Sequence, residues 1–160
     1  MKTSFFYSAI AALFLSVSSV SQAKQSFTLS QSKPEIQHID IGTAGMSLGD
    51  ILVFEADFTS KDGRIGGKAY GTVTLVSPPT GEKDPFLDMI SNIVFDFGGT
   101  DSIVMNGRAV YPVYQGEIKY NTPQVRAITG GTGKFMGARG QLTTIRKPSG
   151  DYEHFFELLD

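Results

Sequence analysis

Ala127-Ile128-Thr129-Gly130-Gly131-Thr132-Gly133-Lys134-Phe135-Met136-Gly137-Ala138-Arg139-Gly140-Gln141-Leu142 is the stretch whose reading decides the fold. A strand-like run ends at Thr129, a turn built on three glycines follows, and a second run starts at Phe135. Glycine stands where a backbone needs positive φ or a close approach to a neighbour. Gly137 and Gly140 inside the second run predict bulges or sharp bends, the devices that curl a sheet toward closure. The run Gly130-Gly131-Thr132-Gly133-Lys134-Phe135 does not fit a phosphate-binding loop. Its glycine spacing differs, and Phe135 stands where a Ser or Thr would meet magnesium. It reads as a structural turn.

Working outward, the chain repeats this strand-and-turn grammar. Residues 125–129 resume after Pro123, residues 137–147 follow the glycine turn, and a Pro148-Ser149-Gly150-Asp151 turn leads to a last strand over 152–159. Upstream, strands are expected over 35–41, 51–59, 65–76, 93–97, 103–113 and 117–120, with a short helical turn allowed from Phe86. Lys61-Asp62-Gly63 supplies a tight turn, and the three prolines of residues 78–85 mark a loop. No sustained helical period exists. About eight strands separated by Gly, Pro and Asp turns imply an all-β sandwich or barrel. Closure into an eight-stranded antiparallel β-barrel is favoured, because it removes exposed edges and the interior strands carry glycines suited to bending. Such a barrel has room for side chains or for one small ligand.

The chain has 160 residues, enough for one domain. Residues 1–23 stand apart from it: Lys2, an apolar stretch from Phe5 to Val20, then Ser21-Gln22-Ala23 before Lys24. This is the pattern of a cleaved secretory signal peptide. The expected product is secreted, extracellular or periplasmic, with no membrane association after cleavage. Residues 24–34, polar and without clear period, are expected as a flexible arm, and residues 35–160 as the barrel domain. Beyond the leader, 13 basic residues face 16 acidic ones with no run of like charge, which excludes a nucleic-acid footprint. The chain holds no cysteine, so disulfides, thiolate nucleophiles and thiolate metal sites are excluded.

Chemistry must come from other groups. His38 and His154 are the only histidines, and no metal-ligand spacing accompanies them, so no metal is expected. No Gly-x-Ser-x-Gly elbow is present. Asp40, Asp57, Asp96 and Arg139 each sit between small or apolar neighbours in a strand context. Glu55 and Asp57 share one strand face. If that face looks inward, two carboxylates and Arg139 meet in a low-dielectric cavity where their pKa values move. If it looks outward, Phe54, Ala56 and Phe58 fill the core, and alternation alone favours this arrangement.

The glycine stretch resembles the signature of plant allene oxide cyclases and dirigent proteins, a strand running into Gly-Gly-x-Gly and then Ala-Arg-Gly. Ser47-Leu48-Gly49-Asp50 before a Phe54-containing strand, residues 66–76, and the aromatic strand Tyr152-Glu153-His154-Phe155-Phe156-Glu157-Leu158 extend the similarity over residues 36–159. The resemblance implies an eight-stranded barrel, a homo-oligomer (trimer or dimer), a mostly apolar small-molecule cavity and no cofactor. Arg139 matches the dirigent pocket arginine, and His38 and Asp40 lie near the position of the dirigent His-Asp pair. Ala56 and Val73 stand where allene oxide cyclases place a water-binding Asn and a Cys, so that enzyme's fatty-acid epoxide is not implied.

The functional expectation is a secreted, cofactor-free barrel that binds a small hydrophobic or phenolic intermediate and directs its stereoselective cyclisation or coupling. In it Arg139 and Asp40 steer charge, and Asp57 or His38 serves as general acid or base. Two alternatives stay open: a lipocalin-like carrier without turnover, and a secreted oligomer acting through its outer surface.

Overall fold

A computed structural model describes residues 24–78, 85–113 and 116–159. The leader and most of the proline loop lie outside the described residues. Nine strands are present among those residues: β1 (Lys24–Gln31), β2 (Glu35–Ile39), β3 (Ile51–Ser60), β4 (Gly66–Ser77), β5 (Phe86–Asp96), β6 (Ser102–Pro112), β7 (Gln124–Thr132), β8 (Arg139–Arg146) and β9 (Tyr152–Leu159). All neighbours are antiparallel, in the order β1-β9-β8-β7-β6-β5-β4-β3-β2, and β1 also pairs with β3. That last pairing closes the barrel.

β1 and β2 are two halves of one broken strand. Leu29 to Gln31 lie opposite Ser60 to Phe58 on β3, and after the break at residues 32–34 the chain continues along β3 with Glu35 opposite Glu55. The barrel therefore has eight staves. Of residues 24–34, expected as a loose arm, Lys24–Gln31 instead supply the closing strand. Phe27, Leu29 and Gln31 point inward in alternation, and a polar third member concealed the period. Two smaller expectations also change. Residues 86–96 are strand throughout, without a helical turn. Residues 117–120 are not a strand; they fold over one end of the barrel, with a single isolated β-bridge between Tyr120 and Arg146.

The interior is built by strict alternation. Leu52, Phe54, Ala56 and Phe58 face inward from β3, Ala69, Gly71, Val73 and Leu75 from β4, and Leu87, Met89, Ser91, Ile93 and Phe95 from β5. Gly71 leaves space for the Phe54 ring: a Cβ there would lie 2.2 Å from it. Glu55 and Asp57 are exposed, where Lys68 pairs with both. The outward arrangement favoured by alternation is the one observed.

The glycine turn closes as a 3-10 turn over Gly133–Phe135. Gly133 has φ +58°, and a Cβ there would meet Asp101 Oδ1 at 2.1 Å. Asp101 accepts from the Lys134 backbone N–H at 3.0 Å and pairs with Lys134 Nζ at 3.0 Å, clasping this turn to the one between β5 and β6. Those bonds, the backbone N–H first, hold its pKa below the usual carboxylate range. The clasp aims Phe135 at the end of the barrel, where it meets Phe27 and Phe97. β7 carries a bulge before the turn, since Val104 pairs with Gly130 while Met105 pairs with Ile128.

Candidate functional site

The four residues expected to act together do not meet inside the barrel. Arg139 is exposed on the outer face of β8, its Nη1 donating to the carbonyls of Thr129 and Ala138 at 2.8 Å each. It braces the glycine turn from outside. Asp40 is exposed in the loop after β2 and accepts from the Gly45 N–H. Asp57 is on the outer face of β3. His38 is exposed and pairs with Asp50 at 2.8 Å. The physical reason is plain for Asp57 between Ala56 and Phe58, and holds also for Arg139 between its small neighbours. A strand residue flanked by apolar neighbours points to the face opposite those neighbours, so a charge between core residues is a surface charge.

Asp50, from the Ser-Leu-Gly-Asp segment, is fully buried. It accepts from the backbone N–H groups of Ile41 and Ser47 as well as from Ser47 Oγ. The Ile41 and Ser47 amides, ahead of His38, hold its pKa down at about 2. This carboxylate staples the loop between β2 and β3, and the motif is structural here.

The inward face presents a different polar group of residues. At the end of the barrel carrying the β1–β2 break and the β6–β7 connection, Gln31, Ser91, Arg126, Thr144, Arg146 and His154 are all buried. They come from five strands and converge only on closure. Arg146 donates from Nη2 to Glu117 Oε1 at 2.5 Å, and the Tyr152 hydroxyl donates to Glu117 Oε2 at 2.6 Å. His154 sits between Thr144 Oγ1 and Gln31 Oε1, 3.1 Å from each. With Oε1 accepting, Nε2 carries the proton and Nδ1 accepts from the Thr144 hydroxyl. Burial, then the nearby Arg126 charge, pushes the imidazole pKa down to about 3, so the ring is neutral. Burial also raises the Tyr111 phenol to about 12 and raises Tyr152, where the Glu117 carboxylate adds to it.

Arg126 donates from Nη1 to Ser91 Oγ at 3.1 Å, and Ser91 donates on to the Gly107 carbonyl at 3.0 Å. No carboxylate pairs with it among the described residues, and its Nε has no partner. Desolvation accordingly lowers its pKa. Together with Tyr111, Tyr152, His154 and Thr144, Arg126 lines a small cavity whose other wall is Ile36, Phe54, Ile93 and Ile118. The cavity measures about 30 Å³, room for a water or two. Ile118, from the segment over this end, is its lid-side wall and is buried.

The opposite end is aromatic. Phe27 stacks on Phe156 with centroids 4.6 Å apart, and Phe58, Phe95, Phe97 and Phe135 complete the cluster. A bowl of about 310 Å³ lies outside it, lined by Gln25, Phe27, Ile65, Phe97, Lys134 and Phe135. Lys134 lies over the Phe135 ring at 5.0 Å.

The signal for the missed residues was present in the strand phase. Arg126 is in register with Ile128, Arg146 with Leu142, His154 with Phe156 and Leu158, and Gln31 with Leu29. A polar residue two places from core residues, not one, is the inward one.

No family model matches the chain, and no curated protein matches it in sequence. Solved structures do match. A pyocyanin demethylase superposes with TM-score 0.64 at 20% identity, over 84% of this chain and 99% of that one. A Diels-Alderase from Streptomyces koyangensis gives 0.63 at 15% identity, over 89% and 70% of the two chains. A pterocarpan synthase dirigent protein gives 0.51 at 18% identity, over 96% of each. This protein is a closed, eight-stranded antiparallel barrel with a polar group of side chains in its interior. Its fold is the allene oxide cyclase-like/dirigent-like barrel.

Proposed function

We propose that this barrel takes a small hydrophobic or phenolic molecule into its polar end and directs its stereoselective cyclisation or coupling without a cofactor. The observation that carries the reading is the cage itself: small, apolar on one wall and lined on the other by Tyr111, Arg126, Tyr152 and His154. Such a cage orients a reactive molecule, excludes water and offers fixed donors to developing charge. Several of the solved neighbours are ring-forming proteins, a Diels-Alderase and a pterocarpan synthase among them, which supports ring closure as the outcome. A ligand takes its place in the cage by displacing Ile118, whose segment is tied back by the Asn121 N–H to the Arg146 carbonyl and by Glu117.

The apolar leader supports export of the chain. A cross-strand row of Tyr70, Val94 and Val104 on the outer faces of β4, β5 and β6 supports a homo-oligomer. One observation favours a second reading. At about 30 Å³ the cage as it stands is closed to any ring-sized ligand, which suits a protein acting through its outer surface.

The test is product chirality. Prochiral phenols under one-electron oxidation, and tethered diene–dienophile substrates, are converted with and without the protein, and enantiomers are separated. Wild type is expected to bias the ratio, and Ile93→Phe, which fills the cage from β5, is expected to return it to racemic. Racemic product with wild type across the panel sinks the ring-closing proposal. A retained ligand seen by native mass spectrometry would then leave a carrier, and no ligand would leave the surface-acting reading.

A further inference from the structure

Around the cage the acceptors of Glu117, His154 and Ser91 are engaged, while donors are left over. Both oxygens of Glu117 are taken by Arg146 and Tyr152, and both nitrogens of His154 by Thr144 and Gln31. Ser91 Oγ receives Arg126 and donates to the Gly107 carbonyl. What remains is Arg126, a lining residue whose buried Nε–H has no partner, and Tyr111, a lining residue whose hydroxyl makes no hydrogen bond to the described residues. Arg146 Nε is also unpartnered, but that guanidinium is neutralised by Glu117.

The charges point the same way. Two guanidiniums flank the cage; Glu117, the carboxylate bonded there, belongs to Arg146, and the buried Asp50 is engaged by the Ile41 and Ser47 amides and His38. A guanidinium does not shed its proton to escape the cost of burial. Arg126 is 5% exposed, so solvent does little to compensate it. The fold makes a place for it nonetheless: a Cβ at Gly107 on β6 would lie 2.9 Å from Arg126 Cγ, so the glycine admits the side chain. A neutral ligand leaves the Arg126 charge uncompensated, whereas a negative oxygen supplies both the missing charge and the missing acceptor.

We infer that Arg126 and Tyr111 form an oxyanion-binding pair, and that the molecule the cage takes presents an anionic oxygen to them, as a carboxylate or as an ionised enol or phenol. The phenol of Tyr111 stays protonated at neutral pH and so remains a donor. The inference rests on the interior being the ligand site, but not on turnover there. During ring closure the same two donors would face the oxygen on which charge develops, the arrangement by which one such donor is worth about 10²–10³ in rate.

The test uses the full mature chain and three probes: formate as carboxylate and formamide as its neutral counterpart, both small enough for the cavity, and 4-nitrophenolate, an ionised phenol that enters only when Ile118 is displaced. The expected result is a saturable shift of the Arg126 ¹⁵Nε resonance and a rise in Tm with an anionic probe, neither occurring with formamide. Arg126→Met should abolish the Tm rise, and Tyr111→Phe should weaken binding about tenfold, the equivalent of one hydrogen bond to a charged group. Response to formate establishes the oxyanion pair, and response to 4-nitrophenolate establishes that an ionised phenol reaches it once Ile118 moves. An Arg126 resonance indifferent to both anions overturns the inference, as does a Tm rise that persists in Arg126→Met. If that variant does not fold, the wild-type resonance decides. Anion binding at Arg126 with racemic product keeps the oxyanion pair and removes the ring-closing function. Selective product with a silent Arg126 resonance does the reverse.

Discussion

The two ends of the barrel stand on the same eight strands and differ in what their inward side chains leave unsatisfied. At the aromatic end, Phe27, Phe95 and Phe156 interlock with centroids 4.6 and 5.0 Å apart, and nothing there needs a partner it lacks. At the polar end, the same inward positions carry two arginines, a histidine and two tyrosines around a cavity of about 30 Å³. Burial of apolar surface stabilises the first end, at about 1.5–3 kcal/mol for each large side chain. Burial of charge costs at the second, and the networks around Glu117 and His154 offset only part of it. The difference teaches where stability resides and where function is to be sought.

That contrast can be broken by mutation. Phe156→Ala removes a fully buried ring from the aromatic end and should cost about 3–5 kcal/mol in urea unfolding, with the fold retained. A loss below about 1 kcal/mol would mean that the aromatic end is not the stabilising one.

The polar end should show itself in acid. His154 has its folded pKa depressed to about 3, against about 6.5 unfolded, so between those values the unfolded chain binds the extra proton. The contribution is fully present above about pH 6.5 and is lost progressively as pH falls toward 3. From pH 6.5 to 5 the wild type should lose about 2 kcal/mol through this group, at about 1.4 kcal/mol per pH unit. His154→Gln has no such titration, so its unfolding free energy should fall by correspondingly less over that interval. Parallel curves for the two proteins would show that the ring is not held neutral.

The smallest effect is expected outside both ends. Arg139→Ala removes two hydrogen bonds from an exposed side chain and should cost less than about 1 kcal/mol. Product selectivity should be unchanged, because Arg139 does not line the cage. A lost enantiomeric bias in this variant would move the site from the polar interior to the glycine turn.

Much of the fold was legible in local pattern. The strands over 51–60, 66–77 and 152–159 announce themselves by alternation, and the Gly130–Gly133 cluster marks a turn that only glycine can make beside Asp101. The site was less legible for a reason that particular residues make plain. Asp57 and Arg139 looked unusual because apolar or small residues flank them, yet such flanking places a strand charge outside. Arg126 looked ordinary between Val125 and Ala127, yet it shares the face of Ile128. Polar Gln31 disguised β1 itself, because its amide is matched only by His154, more than a hundred residues away in sequence.

By itself, then, the sequence determined an all-β chain and the positions of most strands and turns, and it favoured the outward direction of Glu55 and Asp57. These depend on neighbours within a few residues, where sterics and alternation act directly. The tertiary structure decided that residues 24–31 close the barrel between β9 and β3, and that Gln31, Ser91, Tyr111, Arg126, Arg146 and His154 share one interior. Those residues belong to six different strands. Their meeting, and the unmatched donors it leaves around the cage, exist only once the sheet has curled far enough for its first strand to pair with its third.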